Sequence, residues 1–108
     1  MTADATELAE VAGRRVLELS RRMAQAAVEA DWEAVARLHR ERDPVLRHLC
    51  ESRLLPRERL EALLREVLAL DRATAVRVEA AREAVRLALE RAGRGRRAVR
   101  AYHGTSRG

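Results

Sequence analysis

The chain has no phenylalanine and no lysine, and its 108 residues include one cysteine, one tryptophan, one tyrosine and two prolines. Each scarcity excludes something. Cys50 has no second cysteine to bond, so no internal disulfide forms. Without lysine, chemistry that needs a lysine nucleophile or proton carrier is unavailable. No stretch approaches about eighteen uncharged apolar residues, so nothing is expected to span a membrane. Met1 to Glu10 contain acids and no apolar signal core. No secretory signal is therefore expected, and the expected location is cytoplasmic. An apolar complement of Ala, Leu and Val without Phe buries little area per side chain, so stability should be modest.

What is present is helical. Hydrophobic residues make up 47% and charged residues 36%, with few Gly and Pro. That is the composition of a helical bundle or coiled coil in one domain. Leu8, Ala12, Val16, Leu19, Met23, Ala26 and Ala30 make one stripe at helical spacing, opened near Asp4 or Thr6. Glu10 with Arg14, and Glu18 with Arg22, are spaced for i,i+4 pairs, while Gly13 weakens this helix by about 1 kcal/mol relative to Ala. Asp31 is a good N-cap for a second helix, with Trp32 and Glu33 in its first turn, which implies a tight corner after Ala30. Val35, Leu38, Val45 or Leu46, and Leu49 form its stripe. Pro44 predicts a kink, or a restart capped by Asp43. After a connection over residues 51–55, Pro56 opens a third helix. Its seam takes in Leu60, Leu64, Val67, Thr74, Val78, Ala81, Val85, Ala88 and Ala92. At about 1.5 Å per residue, a helix over residues 57–92 spans roughly 54 Å. Gly93 and Gly95 suit a helix end, Arg96 to Tyr102 a short fourth helix, and His103 to Gly108 a disordered tail. The fold expected is all-α: an antiparallel three-helix bundle with a long third helix and a short C-terminal fourth helix. Residues 1–93 form the bundle and residues 94–108 a basic segment.

Charge is unevenly placed. Residues 1–52 hold 8 Arg against 10 acids, residues 53–92 hold 9 against 7, and residues 93–108 hold 5 Arg and no acid. The bundle is near neutral and the excess sits in the tail. A nucleic-acid binder more typically carries a basic stripe along its folded face, so no direct nucleic-acid role is expected.

Searching for chemistry returns little. His39, His48 and Cys50 lack the i,i+4 spacing of a helical zinc pair, so no metal site, catalytic residue or cofactor is expected. The segment from Gly93 to Arg97 has no preceding strand and is no phosphate loop. It reads as a helix stop and hinge. Trp32 is expected in the core or as a staple at the helix corner, and Tyr102 packed on the bundle. Asp71 interrupts the third seam. Either it sits on the seam's edge beside solvent, or it pairs with an arginine such as Arg42 and fixes helix register.

Two resemblances bear on function. Leu64-Arg65, Leu70-Asp71 and Arg82 resemble the first helix of an AroQ-type chorismate mutase. The Arg-to-Asp interval is one residue short, however, and that family's lysine is absent. More of the chain, from Leu8 to Tyr102, resembles the FliT-type flagellar export chaperones. The likeness is carried by Ala30-Asp31-Trp32-Glu33, then Leu38, Arg42 and Leu46, then Val67-Leu68-Ala69-Leu70-Asp71 and Arg82. Gly95-Arg96-Arg97-Ala98 leading to Ala101-Tyr102 completes it. Pro44 departs from that family's uninterrupted second helix. The resemblance implies a cytoplasmic chaperone that binds the C-terminal segment of the flagellar filament-cap protein, prevents premature assembly and hands it to the export apparatus. It implies further contacts with the export ATPase or export gate and with a flagellar transcriptional regulator. The expected client surface is Leu38, Arg42, Val45, Val67, Leu70, Asp71, Val78 and Val85, where an amphipathic helix can lie in a groove. Arg96, Arg97, Val99 and Tyr102 form the expected regulatory segment. The alternative is a homodimeric helical adaptor that buries the third seam on itself.

Overall fold

The computed structural model describes residues 4–106, with side chains as far as residue 104. Among the described residues there are three helices and no strand: α1 (Ala5–Val28), α2 (Trp32–Ser52) and α3 (Arg57–Ser106). The chain divides into two compact units, Met1–Arg77 and Val78–Gly108. The first holds α1, α2 and residues 57–77 of α3. The second holds the remainder of α3.

In the first unit, local chemistry sets the helix ends. The Asp4 carboxylate accepts the Glu7 amide at 2.7 Å and starts α1. Its far end closes through two backbone bonds. The Ala30 amide donates to the Ala27 carbonyl and the Asp31 amide to the Ala26 carbonyl. This is a Schellman motif, and it places Ala30 at φ 57° in the left-handed region. Asp31 then caps α2 by accepting the Ala34 amide at 3.1 Å. One residue thus closes one helix and opens the next, which is the tight corner expected after Ala30.

α2 runs through Pro44 without the expected restart at Asp43. Pro44 cannot bond the Arg40 carbonyl, but both residues are exposed and water can serve the freed acceptor. Asp43 instead pairs along the helix with His39. Arg53, left-handed at φ 55°, ends α2. The Pro56 carbonyl then accepts the Leu60 amide and starts α3.

All three helices and one connecting residue feed the core. Ala9, Val16 and Leu17 of α1, Leu49 of α2, Leu63 and Val67 of α3, and Leu55 between them form one cluster. Leu19, Met23 and Ala26 of α1 meet Leu38 of α2 in a second. Contacts advance along α1 as they retreat along α2: Gly13 lies against Leu49, Arg15 pairs with Glu41, and Met23 packs with Leu38. α1 serves both neighbours, so its buried face is wider than a single stripe. Ala9, Gly13, Leu17, Ser20 and Ala27 join it, while Leu8 and Ala30 are exposed. Leu63, not Leu64, carries the α3 seam. Leu64 is exposed. Glu10 reaches across to Arg59 rather than along α1 to Arg14, and Glu18 pairs with Arg15.

In the second unit, helix continues to Ser106 and there is no fourth helix. Gly93 and Gly95 do not end α3, and neither has a positive φ. Glycine costs a helix interior only about 1 kcal/mol relative to Ala, and the Arg- and Ala-rich flanks favour propagation. Of the expected disordered tail, residues 103–106 are helical, and Arg107 and Gly108 lie outside the described residues. No helix described is long and apolar enough to cross a membrane.

Candidate functional site

Among the described residues the first unit contains one buried charge. Arg42 is only 4% exposed and lies between the two core clusters, on the α2 stripe that includes Leu38 and Leu49. Its Nη1 donates to Asp71 Oδ1 of α3 at 2.6 Å and to Ser20 Oγ of α1 at 3.1 Å. Ser20 Oγ donates in turn to the Val16 carbonyl at 2.8 Å, so the hydroxyl is used as donor and acceptor. Asp43 lies 3.9 Å from Nη2. Nε is buried without a partner.

A buried guanidinium is tolerable only when paired and hydrogen-bonded, and here each of the three helices supplies part of the pairing. Of the two readings open for Asp71, the structure takes the pair with Arg42. The carboxylate is half-buried, so its other oxygen edge reaches the surface. Nothing in the sequence marked Ser20 for this role except its place one turn past Val16, beside the α1 stripe.

The other expected client-surface residues of this unit fall into two groups. Leu38 and Val67 are fully buried in the second and first clusters. Val45 and Leu70 are half-buried against the first cluster. Trp32, expected in the core or as a staple, is exposed on the first turn of α2, and Cys50 is exposed as well. Among the described residues no group of three His, Cys, Asp or Glu side chains is placed to hold a metal ion.

In the second unit, Val78 is half-buried and Val85 exposed. Arg96, Arg97, Val99 and Tyr102 are all exposed, and the Tyr102 ring stands edge-on to His103. Tyr102 therefore lacks the packing expected for it. Arg82 pairs with Glu79 at 3.0 Å, and Arg86 bridges Glu83 and Glu90, each at 2.6 Å. The bond from Arg86 holds the Glu83 carboxyl below its ordinary pKa, and the same bond raises Arg86. A shallow, open depression on the helix surface at Gly95 is lined by Arg96, Val99 and Arg100.

Among the described residues the surface is therefore one of packing and charge, with apolar side chains left open on α3. Comparison with known proteins agrees with that character. A family model described as flagellar protein FliT matches residues 12–104, which takes in α1 from its third turn, all of α2 and nearly all of α3. No curated protein and no solved structure matches the chain. A match over that much of its length means that the chain belongs to the flagellar protein FliT family.

Proposed function

We propose that the protein is a cytoplasmic flagellar export chaperone, which binds the C-terminal helical segment of the filament-cap protein and delivers it to the export apparatus. The family match over residues 12–104 carries this reading. We read residues 4–77 as an antiparallel three-helix bundle, which the opposed contact order of α1 and α2 supports. In the first unit, Leu38 and Val67 form the floor on which the client lies, Val45 and Leu70 offer half-buried apolar contact, and Arg42 holds Asp71 at the surface as a polar anchor. In the second unit, Val78 and Val85 are proposed client contacts. An amphipathic client helix with apolar anchors one turn apart suits such side chains. Contacts with the export ATPase or export gate and with a flagellar transcriptional regulator are part of the same proposal.

The basic C-terminal segment over residues 94–108 is proposed to compete with the client, using Val99 and Tyr102 with Arg96 and Arg97. Competition requires α3 to open at Gly93 and Gly95, two of its three glycines and weak helix formers at the start of the segment. The test is capture of the filament-cap C-terminal segment by the full chain and by a chain lacking residues 94–108. Capture by both, stronger for the truncated chain, is expected. Failure of both to bind would sink the chaperone reading, and equal or weaker binding by the truncated chain would sink the competition.

A further inference from the structure

Between residues 85 and 99, α3 carries a stripe of exposed apolar side chains. Val85 is 59%, Leu89 65% and Val99 56% exposed, and Ala88, Ala92 and Gly95 continue the same side of the helix. At about 100° per residue, Arg82, Arg91 and Arg100 border that stripe and Arg96 falls within it, between Val85 and Leu89, while Glu79, Glu83 and Glu90 fall on the opposite side with Arg94 and Arg97, and Arg86 lies beside them. The three acids draw on Arg82 and Arg86. Among the described residues no ion pair reaches Arg91, Arg96 or Arg100, so the C-terminal half of the stripe's side keeps its full positive charge. The depression lined by Gly95, Arg96, Val99 and Arg100 lies along this stripe.

We infer that this face is a docking surface for an acidic amphipathic helix of another protein, with small apolar anchors along its seam and Asp or Glu beside them. The charge pattern selects that occupant. A second copy of the chain would bring arginines against arginines, since its acids lie on the far side. Flanking charges of this kind set partner choice and orientation in helix pairs. Phosphate surfaces would use the arginines but not Val85, Leu89 and Val99. With Leu89 its single large side chain among alanines and valines, the stripe offers little of the Trp, Phe and Leu insertion by which amphipathic helices hold a bilayer. The small side chains at Ala88, Ala92 and Gly95 let a partner backbone approach closely, and the depression takes one of its side chains. The inference goes beyond the client reading and does not depend on the filament-cap segment.

The test uses the full chain and three fluorescent helical peptides of about 21 residues, sharing one Leu/Ala seam and flanked by Glu, Gln or Lys. Anisotropy is expected to show the Glu peptide binding at least about tenfold more tightly than the Gln peptide at about 0.05 M salt, with the advantage shrinking near 0.5 M. R96Q/R100Q should remove that advantage, and L89D/V99D should weaken the Glu peptide severalfold. All four positions are exposed, and circular dichroism checks that the variants stay folded. Equal affinity for the Glu and Gln peptides overturns the inference. So does retention of Glu-peptide binding in L89D/V99D, or a dimer of the free chain that must dissociate before the peptide binds. Phosphatidylglycerol–phosphatidylcholine vesicles or single-stranded DNA that bind more tightly than the peptide, and equally well to L89D/V99D, overturn it in favour of a phosphate surface. Removing residues 94–108 separates the two readings, since it raises filament-cap capture under the chaperone reading and lowers Glu-peptide binding under this one.

Discussion

At the scale of single residues, the Arg42 site makes an asymmetric prediction. Asp71 is half-buried and can turn to water when its partner is lost, whereas Arg42 cannot. Asp71→Ala should therefore destabilise by about 2 kcal/mol, below the cost of breaking a fully buried pair because one edge stays wet. Arg42→Met should cost less than about 1 kcal/mol, since it also removes the unpartnered Nε and fills the site with an apolar chain. Urea unfolding of the two variants checks the order, and a reversed order would show that the guanidinium is less confined than its burial implies. Two backbone positions predict gains. A Cβ at Gly13 would meet Leu63 Cδ2 at 3.5 Å, an ordinary contact, so Gly13→Ala should stabilise by about 1 kcal/mol. Ala30 sits left-handed where glycine is favoured, so Ala30→Gly should gain about 0.5–1 kcal/mol in the same assay. The corner at Asp31 was legible because capping chemistry is local. Trp32 was misplaced because ring size says only that a side chain prefers burial, not that a neighbour exists to cover it.

At the scale of elements, periodicity named the helices and missed their phase. Leu63 and Leu64 are adjacent leucines, and a three-four count accepts either. The choice fell to packing: Leu63 joins the first core cluster against Gly13 of α1, while Leu64 is exposed. Leu55 escaped notice because it belongs to no helix and so to no period. Helix ends read from glycine failed at Gly93 and Gly95, since a glycine stops a helix only where it takes a positive φ. The two positions nonetheless predict behaviour. A Cβ at Gly95 meets nothing within 4 Å, and one at Gly93 meets only arginine side-chain ends. Gly93→Ala with Gly95→Ala should stiffen α3 by up to about 2 kcal/mol. If the C-terminal segment competes with the client by opening there, this variant should capture the filament-cap segment more strongly than the parent chain. Unchanged capture by a measurably more helical variant would remove the glycines from the mechanism.

At the scale of the whole molecule, fold class and family were legible from composition and motif order, because Ala, Leu, Arg and Glu at helical spacing admit few alternatives. The candidate surface was only half legible. The residues named for the client include Leu38 and Val67, which the chain uses in its own core, because a stripe on a sequence does not say which of its members a neighbouring helix already covers. The net charge of +5 was visible, but not that Val85, Leu89 and Val99 of α3 stay exposed on a side of the helix that carries Arg82, Arg91, Arg96 and Arg100 and no acid. Ser20, Arg42 and Asp71, one from each helix, also constrain how relatives of this protein can diverge. An aliphatic side chain at position 42 removes the need for an acid at 71 and for a hydroxyl at 20. A carboxylate lost first strands a cation. Descent through such sequences should therefore favour replacement of the arginine before the aspartate, and the three positions should change as a set.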